Sequence, residues 1–455
     1  MKVKIGMVSL GCAKNQVDAE MMLGRLLDGG YALASDVAEA ELVIVNTCGF
    51  IEDAKREAIE EILALARLKQ EGRIQKILVT GCLAERYKEE LAREFPEVDG
   101  VVGLGANGEI VKTVEEILEN KRIQSFPEVC NMPLSGPRVQ TTPPQYAYLR
   151  VADGCDNCCA FCAIPLIRGP FRSRPLQDLL KEAEGLAKKG VKELLVIAQD
   201  TTRYGEDLYG RMRLPDLLRG LVKIDGIRWI RLLYCYPDRV TDELIEVMAR
   251  EEKIVKYIDL PLQHCNNTLL RAMNRRGTKE EIAARIEMLR EKIPGIVIRT
   301  TFIAGLPGEG EKEFEELAYF VRKMKFERMG CFAYSPEEGT PAAEMSAQVP
   351  REERQRRQQI IMAEQERVSE EFTGSMIGKH YTVLVEGYDE ESARHYGRGA
   401  AEAPEIDGRV YFTASPGRTV SVGDFIDVEI TENMEYDLVG VMLPETNGSK
   451  GERKA

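Results

Sequence analysis

Four cysteines fall within eight residues of this 455-residue chain: Cys155, Cys158, Cys159 and Cys162. Three of them follow the spacing C-x-x-x-C-x-x-C, with Phe161 just before the last. A 4Fe–4S cluster takes four cysteine ligands when it is fully held by protein. Three thiolates from one short loop would therefore leave one iron open. An open iron can bind a substrate or cofactor, which is what a catalytic cluster requires.

Two other interpretations of this loop compete with the cluster. Cys155-x-x-Cys158 and Cys159-x-x-Cys162 could be two zinc-binding pairs. Zinc sites, however, normally separate their pairs by a dozen or more residues, and here nothing separates them. A redox-active C-x-x-C pair would leave the other thiols unexplained. We favour the cluster and assign no role to Cys158.

The composition is that of an ordinary globular protein, and the length suffices for about three domains. No run of eighteen apolar residues occurs, so we expect no membrane span. The odd number of cysteines, eleven, and the lack of a signal-peptide pattern predict a reducing, cytoplasmic location. The net charge of −13 argues against a protein that binds nucleic acid through bulk positive charge.

Residues 1–120 alternate short apolar runs with amphipathic helical patterns. The strand-like runs are KIGMVSL, ELVIVN, KILVT and VDGVVG. The helical runs are VDAEMMLGRLL, AKREAIEEILALARL, AERYKEELAREF and GEIVKTVEEILE. This alternation predicts an α/β domain with an open parallel sheet covered by helices.

Three of these predicted strands end in a cysteine, at Cys12, Cys48 and Cys82. The carboxyl ends of parallel strands share one edge of a sheet, where open α/β sheets place their ligands. One such thiol alone would be a small buried apolar residue. Three at equivalent positions predict a second three-thiolate cluster. Asn15 and Asn46 lie beside these thiols, and we predict a turn or helix-cap role for both.

Residues 121–140 are rich in Pro, Ser and Thr and lack periodicity, which predicts a linker; its Cys130 is expected to be an incidental free thiol.

Residues 141–372 contain six strand-like runs separated by helical patterns, which predicts a partial (β/α)6 barrel. In barrels the chemistry lies at the carboxyl ends of the strands. Those ends hold Gln199, Asp200, Tyr234, Tyr236, Gln263, His264, the turn Gly305-Leu306-Pro307-Gly308-Glu309, Tyr334 and Ser335. For His264 a hydrogen-bonded structural role is predicted.

Residues 350–372 read as one charged helix, and a last domain is predicted over residues 373–445. Its short β-like runs predict a five-stranded barrel of the oligonucleotide-binding type. Residues 374–445 contain five Lys or Arg and fourteen Asp or Glu, a net charge of −9. Because phosphate binding needs cations, we expect no strong RNA binding. An acidic surface better suits a basic protein partner, although acidity can also serve solubility alone. The tail 446–455 is predicted to be disordered.

The loop at 155–162 resembles the radical S-adenosylmethionine superfamily, which is marked by this triplet with an aromatic residue before its last Cys. With the thiols at Cys12, Cys48 and Cys82 added, the chain is similar to the methylthiotransferases of that superfamily. The text AAEAPEIDGRVYF resembles a TRAM domain. The resemblance covers nearly the whole chain. It implies a methylthiotransferase N-terminal domain, a radical S-adenosylmethionine core and a TRAM barrel, in that order.

The resemblance also implies the cofactors, two 4Fe–4S clusters and S-adenosyl-L-methionine. The loop cysteines would hold the cluster that cleaves S-adenosylmethionine to a radical. The three strand-end cysteines would hold an auxiliary cluster that handles the inserted sulfur. The implied contacts to S-adenosylmethionine are Gln199, Gly305, Gly308 and Glu309. No catalytic side chain is assigned.

Four further motifs point to one branch of the methylthiotransferases: IAQDTTRYGEDL, RLLYCYPDRV, DLPLQHCNNTLLRAMNRRGT and YSPEEGT. That branch modifies an aspartate of the twelfth small-subunit ribosomal protein. The transfer-RNA-modifying branches carry GQNVN-like text in place of AQDTT, and an Arg-Pro before the GT of YSPEEGT. Here Glu337 and Glu338 stand before that GT.

The implied reaction is methylthiolation of the β-carbon of that aspartate, with S-adenosylmethionine as methyl donor and as radical source. The implied partners are the basic ribosomal protein, free or within the ribosomal particle, an electron donor and a sulfur donor. We expect the acidic last domain to hold this substrate over the barrel mouth. The alternatives are a transfer-RNA adenosine methylthiotransferase and a non-enzymatic iron–sulfur scaffold or electron carrier. The βα barrel and the GLPGE turn weigh against the carrier.

Overall fold

The computed structural model of the chain describes residues 2–444, and its first sheet is built from six parallel strands. The strands are β1 Lys4–Ser9, β2 Ala32–Leu33, β3 Leu42–Thr47, β4 Lys76–Gly81, β5 Gly100–Val102 and β6 Ile123–Ser125. The helices are α1 Ala13–Asp28, α2 Glu52–Gln70, α3 Cys82–Glu94 and α4 Ile110–Leu118. The order across the sheet is β2-β1-β3-β4-β5-β6. The prediction of an open parallel α/β sheet is confirmed.

Helices cover both faces of this sheet, which is why its strands are apolar almost throughout. On one face Ile62 of α2 and Leu83 of α3 pack with Val43. On the other face Leu26 of α1 and Val114 of α4 pack with neighbouring strand residues. The two layers hold the carboxyl ends of β1, β3 and β4 side by side.

The segment predicted to be a linker, 121–140, contributes β6 to the first sheet, where Ile123 pairs with Gly100. Three residues are too few to show an alternating pattern, so this strand could not be predicted. Further along, Arg138 bonds to Glu20 of α1 and donates to the Tyr148 carbonyl at 2.7 Å. The end of this segment is therefore fixed between the first and central sheets.

The central sheet also has six parallel strands, in the order β14-β13-β12-β11-β10-β7. The strands of this region are β7 Tyr146–Arg150, β8 Ala152–Asp153, β9 Arg172–Ser173, β10 Glu193–Ile197, β11 Trp229–Leu232, β12 Ile254–Gln263, β13 Val297–Ala304 and β14 Arg328–Ala333. Its helices are α5 Ile164–Arg168, α6 Leu176–Lys188, α7 Glu206–Tyr209, α8 Leu214–Leu221, α9 Asp242–Arg250, α10 Asn267–Ala272, α11 Lys279–Lys292, α12 Glu311–Met324, α13 Pro341–Glu344 and α14 Arg351–Gly374. The sheet does not close, so the predicted partial barrel of six strands is confirmed.

Alternate residues of the central strands face opposite sides, as the strand period requires. Ala147 and Leu149 of β7 pack outward in the core shared with the helices. Tyr146 and Tyr148 face the inside of the curved sheet. The inside is thus lined by larger and more polar side chains than the helix-covered face.

The C-terminal sheet is a closed five-stranded barrel with the order β15-β16-β17-β19-β18. Its strands are β15 His380–Asp389, β16 Arg394–Arg398, β17 Val410–Thr413, β18 Phe425–Met434 and β19 Asp437–Met442. The predicted small barrel is confirmed. The sequence pattern predicted four of these strands and missed β16, because its sequence RHYGR is too polar to resemble a strand.

The C-terminal barrel docks at the amino-terminal ends of the central strands. Arg398 donates to Glu193, the first residue of β10, at 2.7 Å. Arg328, the first residue of β14, donates to Glu402 at 2.8 Å. The Trp229 and Phe425 rings meet edge to face at 4.9 Å. These contacts bind the two sheets through buried ion pairs and apolar packing.

The loop at 399–407 enters the inside of the central sheet. Ala401 and Ala403 lie in one apolar cluster with Tyr146 and Tyr148. The Glu405 carboxylate accepts from the Tyr146 and Tyr148 hydroxyls at 3.1 and 3.2 Å. We name residues 399–407 the plug loop. It fills the space that a closed eight-stranded barrel would fill with its own side chains.

This docking corrects one expectation. The acidic domain docks at the amino-terminal ends of the central strands and not at the barrel mouth. Its plug loop reaches through the inside of the sheet, where Glu405 lines a pocket together with Cys12. Glu386, Glu402, Glu405 and Asp407 bond to Arg and Tyr side chains of the central or C-terminal strands. Part of the domain's negative charge therefore stabilises this interface and is not free to hold a substrate.

No helix within residues 2–444 is both long and apolar enough to cross a membrane. The predicted disordered tail, 446–455, lies outside the described residues.

Candidate active site

Cys12, Cys48 and Cys82, which we call the strand-end trio, follow three neighbouring strands of the first sheet. Cys12 lies between β1 and α1, Cys48 follows β3, and Cys82 begins α3 directly after β4. Since β1, β3 and β4 are adjacent and parallel, the three thiols lie at one sheet edge. The sequence-based placement of this trio therefore agrees with the geometry.

Glycines allow the strand-end trio to approach so closely. Gly11 has φ +88, and a β-carbon on it would lie 2.7 Å from Cys48 Cβ and 2.9 Å from its Sγ. Gly81, just before Cys82, has φ 97 and ψ −164, a backbone region open to glycine alone. A β-carbon on Gly81 would lie 2.4 Å from the Thr47 carbonyl oxygen. Side chains at these two positions would push the strand ends apart.

Asn15 and Asn46 were predicted to cap a helix or a turn, and the structure shows a different role. The Asn15 amide donates to the Leu10 carbonyl at 2.7 Å and to the Thr47 carbonyl at 3.2 Å. Asn46 donates back to the Asn15 carbonyl at 2.7 Å. The two side chains tie the ends of β1 and β3 together beneath Cys12 and Cys48. This bridge depends on residues 31 apart, which local patterns cannot show.

The three strand-end thiols differ in ionisation. Burial raises the pKa of Cys48 and raises that of Cys82 to about 12, and nearby thiolate charge adds to the shift in both. Desolvation opposes ionisation of Cys12 as well, although the residue is exposed as a whole. Lys14 and Arg168 outweigh it and lower the pKa of Cys12. The trio thus combines one thiol favoured as thiolate with two that release protons when a metal binds.

Cys155, Cys159 and Cys162, the loop trio, lie in the loop between β8 and β9, which pair antiparallel. The Cys155 amide donates to the Gly169 carbonyl at 3.0 Å, which closes the loop at its base. Asp200 accepts from the Asn157 amide at 2.9 Å. The Asn274 amide donates to the Cys158 carbonyl at 2.9 Å. Neighbouring strand ends therefore brace the loop from outside.

Burial and the charge of a neighbouring thiolate both oppose ionisation of two thiols in the loop trio. Burial raises the pKa of Cys155 to about 11 and that of Cys162 to about 12, and the Cys159 charge adds to both shifts. Two polar groups face Cys159: the Tyr236 hydroxyl lies 3.4 Å from its Sγ, and the Arg275 guanidinium donates to it at 3.8 Å. Hydrogen bonds to cluster sulfurs are one means by which a protein sets a cluster's potential.

The donor chemistry of both trios suits a 4Fe–4S cluster. Each trio supplies three free cysteine thiols, and cysteine thiolates are the usual ligands of such clusters. Three protein ligands would leave the fourth iron of each cluster open.

Gln199 lies at the carboxyl end of β10, beside the loop trio. Its amide nitrogen donates to Asp153 at 3.0 Å, and its Oε1 is buried without a hydrogen-bond partner. A buried acceptor without a partner is costly unless a ligand supplies the donor. The position thus fits the predicted contact to S-adenosylmethionine.

The Gly305–Glu309 turn follows β13, and its Glu309 side chain is fully engaged within the protein. The carboxylate accepts from the Gly305 amide at 2.9 Å and from Arg357 at 3.0 Å, and it lies 3.3 Å from His264 Nε2. The Gly305 and Arg357 contacts give Glu309 a bracing role. His264 Nδ1 accepts from the Asn266 amide at 3.0 Å, which fits the predicted structural role, and its Nε2 is buried without a hydrogen-bond partner. The Gly305 and Gly308 amides are also used within the protein, by Glu309 and by the Ala347 carbonyl at 2.8 Å.

A cavity of about 520 Å³ opens between Phe161, the ends of β12–β14 and residues 50–53 of the first domain. Phe161 belongs to the loop that carries the loop trio, which we call the cluster loop. The cavity is lined by apolar and amide side chains such as Ile303 and Gln263, and also by the carboxylates of Glu52, Asp53 and Glu337. The Tyr334 hydroxyl, at its wall, is buried without a hydrogen-bond partner. Size and lining suit a small-molecule cofactor.

Glu337 holds the two domains together beside this cavity. It is buried and accepts from Arg86 at 2.7 Å and Lys55 at 3.2 Å, both of the first domain. Glu338 is exposed and accepts from Arg86 only through its backbone carbonyl, at 2.9 Å. The two acids of YSPEEGT therefore differ, and Glu337 acts as an interdomain contact.

Four charged residues between the trios were missed by the sequence analysis: Asp18, Arg150, Asp153 and Arg168. All four are buried, and each arginine bonds to both carboxylates. Asp18 belongs to α1 of the first domain and the others to the central domain. The only available signal was the presence of two arginines close to the cluster loop, which is too common a feature to interpret.

Three family models match the chain in succession. The uncharacterized protein family UPF0004 matches residues 4–103, the radical SAM superfamily residues 149–321, and the TRAM domain residues 377–443.

Curated relatives match the chain over nearly its whole length, and those named here are called "Ribosomal protein uS12 methylthiotransferase RimO". The protein from Pelotomaculum thermopropionicum is 50% identical, over 97% of this chain and 99% of its own. The protein from Thermoanaerobacter sp. is 48% identical, over 96% and 99%. That from Clostridioides difficile is 47% identical, over 97% and 99%.

Solved structures share the fold at low identity. The radical S-adenosylmethionine methyltransferase TsrM from Kitasatospora setae aligns with a TM-score of 0.56 and 15% identity, over 75% of each chain. The cobalamin-dependent radical enzyme OxsB aligns with a TM-score of 0.52 and 13% identity, over 80% of this chain and 56% of its own.

Proposed function

The chain belongs to the family of ribosomal protein uS12 methylthiotransferases, RimO, and from that membership we propose that it methylthiolates the β-carbon of one aspartate in the ribosomal protein uS12. That carbon is not acidic enough for ordinary base chemistry, so the hydrogen has to leave by a radical route that cofactors supply. The observation that carries the proposal is the pairing of two three-thiol sites on one interdomain face. An enzyme that must both make a radical and handle sulfur needs two such sites.

The enzyme uses two 4Fe–4S clusters and S-adenosylmethionine. We assign one cluster to the loop trio and the auxiliary cluster to the strand-end trio. When bound, these groups supply the radical that removes the hydrogen and the sulfur that replaces it. An electron donor and a sulfur donor are further proposed partners.

The chain's own residues orient these groups. Tyr236 and Arg275 direct donors at Cys159, and Asp200 fixes the loop through Asn157. We propose that Gln199 offers its unpartnered oxygen to S-adenosylmethionine and that Gly305 and Gly308 also contact it. Glu309 braces their turn by accepting from the Gly305 amide.

The described C-terminal barrel offers an acidic surface to a basic protein. Four of its acids bond inward, whereas Glu390 and Glu391 are exposed at the turn between β15 and β16. We propose that this outer surface attracts uS12, free or within the ribosomal particle, while the reaction occurs at the far end of the central sheet. We also propose a cytoplasmic location, because the proposed substrate is a ribosomal protein.

A direct competition tests the substrate. The anaerobically reconstituted enzyme receives S-adenosylmethionine, a strong reductant and sulfide, with uS12 and bulk transfer RNA offered together, and both are analysed by mass spectrometry. We expect a methylthio group in place of one hydrogen on an aspartate-containing peptide of uS12. A methylthio-adenosine in the RNA digest with unmodified uS12 would instead make the chain a transfer-RNA enzyme. A uS12 variant with Asn at the modified position is the matched control and should stay unmodified.

A further inference from the structure

Arg168 belongs to the central domain, six residues after Cys162, yet its guanidinium lies against the strand-end trio of the first domain. Its Nη2 donates to Cys82 Sγ at 3.6 Å and to Asn15 Oδ1 at 3.2 Å. Asn15 is the residue that ties the ends of β1 and β3. One arginine from the neighbouring domain therefore contacts both a thiol of the trio and the asparagine that ties the strand ends beneath the other two thiols.

This arginine is permanently charged and almost fully buried, with 1% exposure. A charge in such surroundings acts strongly on its neighbours because little water screens it. The contact with Asn15 places this charge beneath Cys12 and Cys48 as well, because Asn15 ties together the strand ends that these two cysteines follow.

The other side of Arg168 faces the loop trio. Its Nη1 donates to Asp153 at 2.8 Å. The second oxygen of Asp153 accepts from the Gly154 amide at 2.7 Å, directly before Cys155, and from Gln199 at 3.0 Å. Arg168 is therefore the link in a continuous chain of hydrogen bonds from Cys82 to the base of the cluster loop.

We propose that Arg168 is a positioning residue that raises the reduction potential of the auxiliary cluster and couples that cluster to the docking of the central domain. The proposal rests on the assignment of a cluster to the strand-end trio. Reduction adds negative charge to a cluster, so a nearby cation and a hydrogen bond to a cluster sulfur stabilise the reduced form. Without the central domain's arginine, the same three thiolates would hold a cluster that is harder to reduce.

Arg150 provides a matched control. It is also fully buried and bonds to the same two carboxylates, Asp18 and Asp153. Its remaining hydrogen bond is to Met21 Sδ at 3.5 Å, not to a thiol. Substituting either arginine breaks the same ion-pair network, but only Arg168 contacts the trio.

The experiment isolates the auxiliary cluster in a chain with Cys155→Ala, Cys159→Ala and Cys162→Ala. Arg168→Gln, Arg168→Lys and Arg150→Gln are added singly, each protein is reconstituted anaerobically, and the midpoint potential is measured by redox titration followed by EPR. We expect Arg168→Gln to lower the ratio of reduced to oxidised cluster about tenfold at fixed potential, a shift of about 59 mV for one electron. Arg168→Lys should give a smaller fall in the same direction, and Arg150→Gln a change below about threefold.

Equal shifts for Arg168→Gln and Arg150→Gln would overturn the inference, because they would trace the effect to the shared network. An unchanged potential in Arg168→Lys and Arg168→Gln would overturn it as well. If the Arg168→Gln variant does not bind iron, the midpoint potential of the Arg168→Lys variant alone tests the inference. A background chain that binds no cluster at all would overturn the assignment of the auxiliary cluster itself, an outcome distinct from a cluster with an unshifted potential.

Discussion

The loop trio and the strand-end trio reach similar donor sets by opposite routes. The loop trio comes from eight consecutive residues, and the pairing of β8 with β9 brings the two ends of its loop together. The strand-end trio spans 71 positions and needs three strands, two glycine turns and an arginine from another domain. The first site is mainly a property of local sequence, and the second is a property of the assembled fold.

This difference predicts how each site fails. A loop site should tolerate disturbance of the first domain, since its ligands and braces lie in the central domain. The strand-end site should be sensitive to any change that moves one strand end or separates the two domains.

The largest expected effect comes from removing one ligand of each trio. Cys155→Ala should reduce reductive cleavage of S-adenosylmethionine to background and leave about four iron atoms per chain, one cluster's worth. Cys48→Ala should also leave about four iron atoms but retain the cleavage while methylthiolation is lost. Iron content and deoxyadenosine release measure both. Loss of all iron in either variant would show that the two sites are not independent.

A smaller effect is expected from the glycine turn before Cys82. Gly81→Ala should destabilise the fold by about 3 kcal/mol, because it combines a backbone region closed to alanine with a clash on the Thr47 carbonyl. It should selectively lose the auxiliary cluster. Gly210→Ala is the control: its φ of 71 is also left-handed, nothing lies within 4 Å of the added carbon, and we expect a cost of about 1 kcal/mol with both clusters retained.

Urea unfolding and iron content of these two glycine variants check this expectation. Equal iron loss in both would contradict the view that the strand ends must stay close.

The smallest expected effect concerns two exposed thiols in the metal-free chain. Lys14 and Arg168 lower the pKa of Cys12 despite desolvation, whereas a hydrogen bond to Glu128 raises the pKa of Cys130. Below both pKa values, Cys12 therefore keeps more thiolate, and its alkylation should be about threefold faster per pKa unit of difference once its lower nucleophilicity is included. As pH rises, Cys12 should also reach its maximal rate first.

Peptide mapping after timed alkylation with iodoacetamide measures both rates. Loading the clusters should protect Cys12 and leave Cys130 reactive. A Cys12 that stays reactive in the loaded protein would remove it from the ligand set.

The sequence was sufficient for features that depend on local spacing. Cys155, Cys159 and Cys162 were predicted as cluster ligands from their spacing, and the strand-end trio from the position of each thiol after an apolar run. The contact of Arg168 with Cys82 joins residues 86 apart and leaves no periodic trace. The bracing of Glu309 by Arg357, 48 residues away, was hidden for the same reason.

The acidic C-terminal domain shows a limit of a different kind. Composition correctly gave its charge, but charge counts do not say which way a side chain faces. Glu402 and Glu405 were counted toward a partner surface, although both are bonded to the central sheet. Only the three-dimensional arrangement separates acids that hold domains together from acids that remain outside.

The plug loop has a consequence for biosynthesis. The last strand of the central sheet ends at Ala333, but part of the apolar cluster inside the sheet is supplied later in the chain, by Ala401 and Ala403. At about 5–20 residues per second, the ribosome needs about 4 to 15 seconds to make the intervening residues. During that interval Tyr146, Tyr148 and their apolar neighbours lack this cover, and transiently exposed apolar surface of this kind is what chaperones bind.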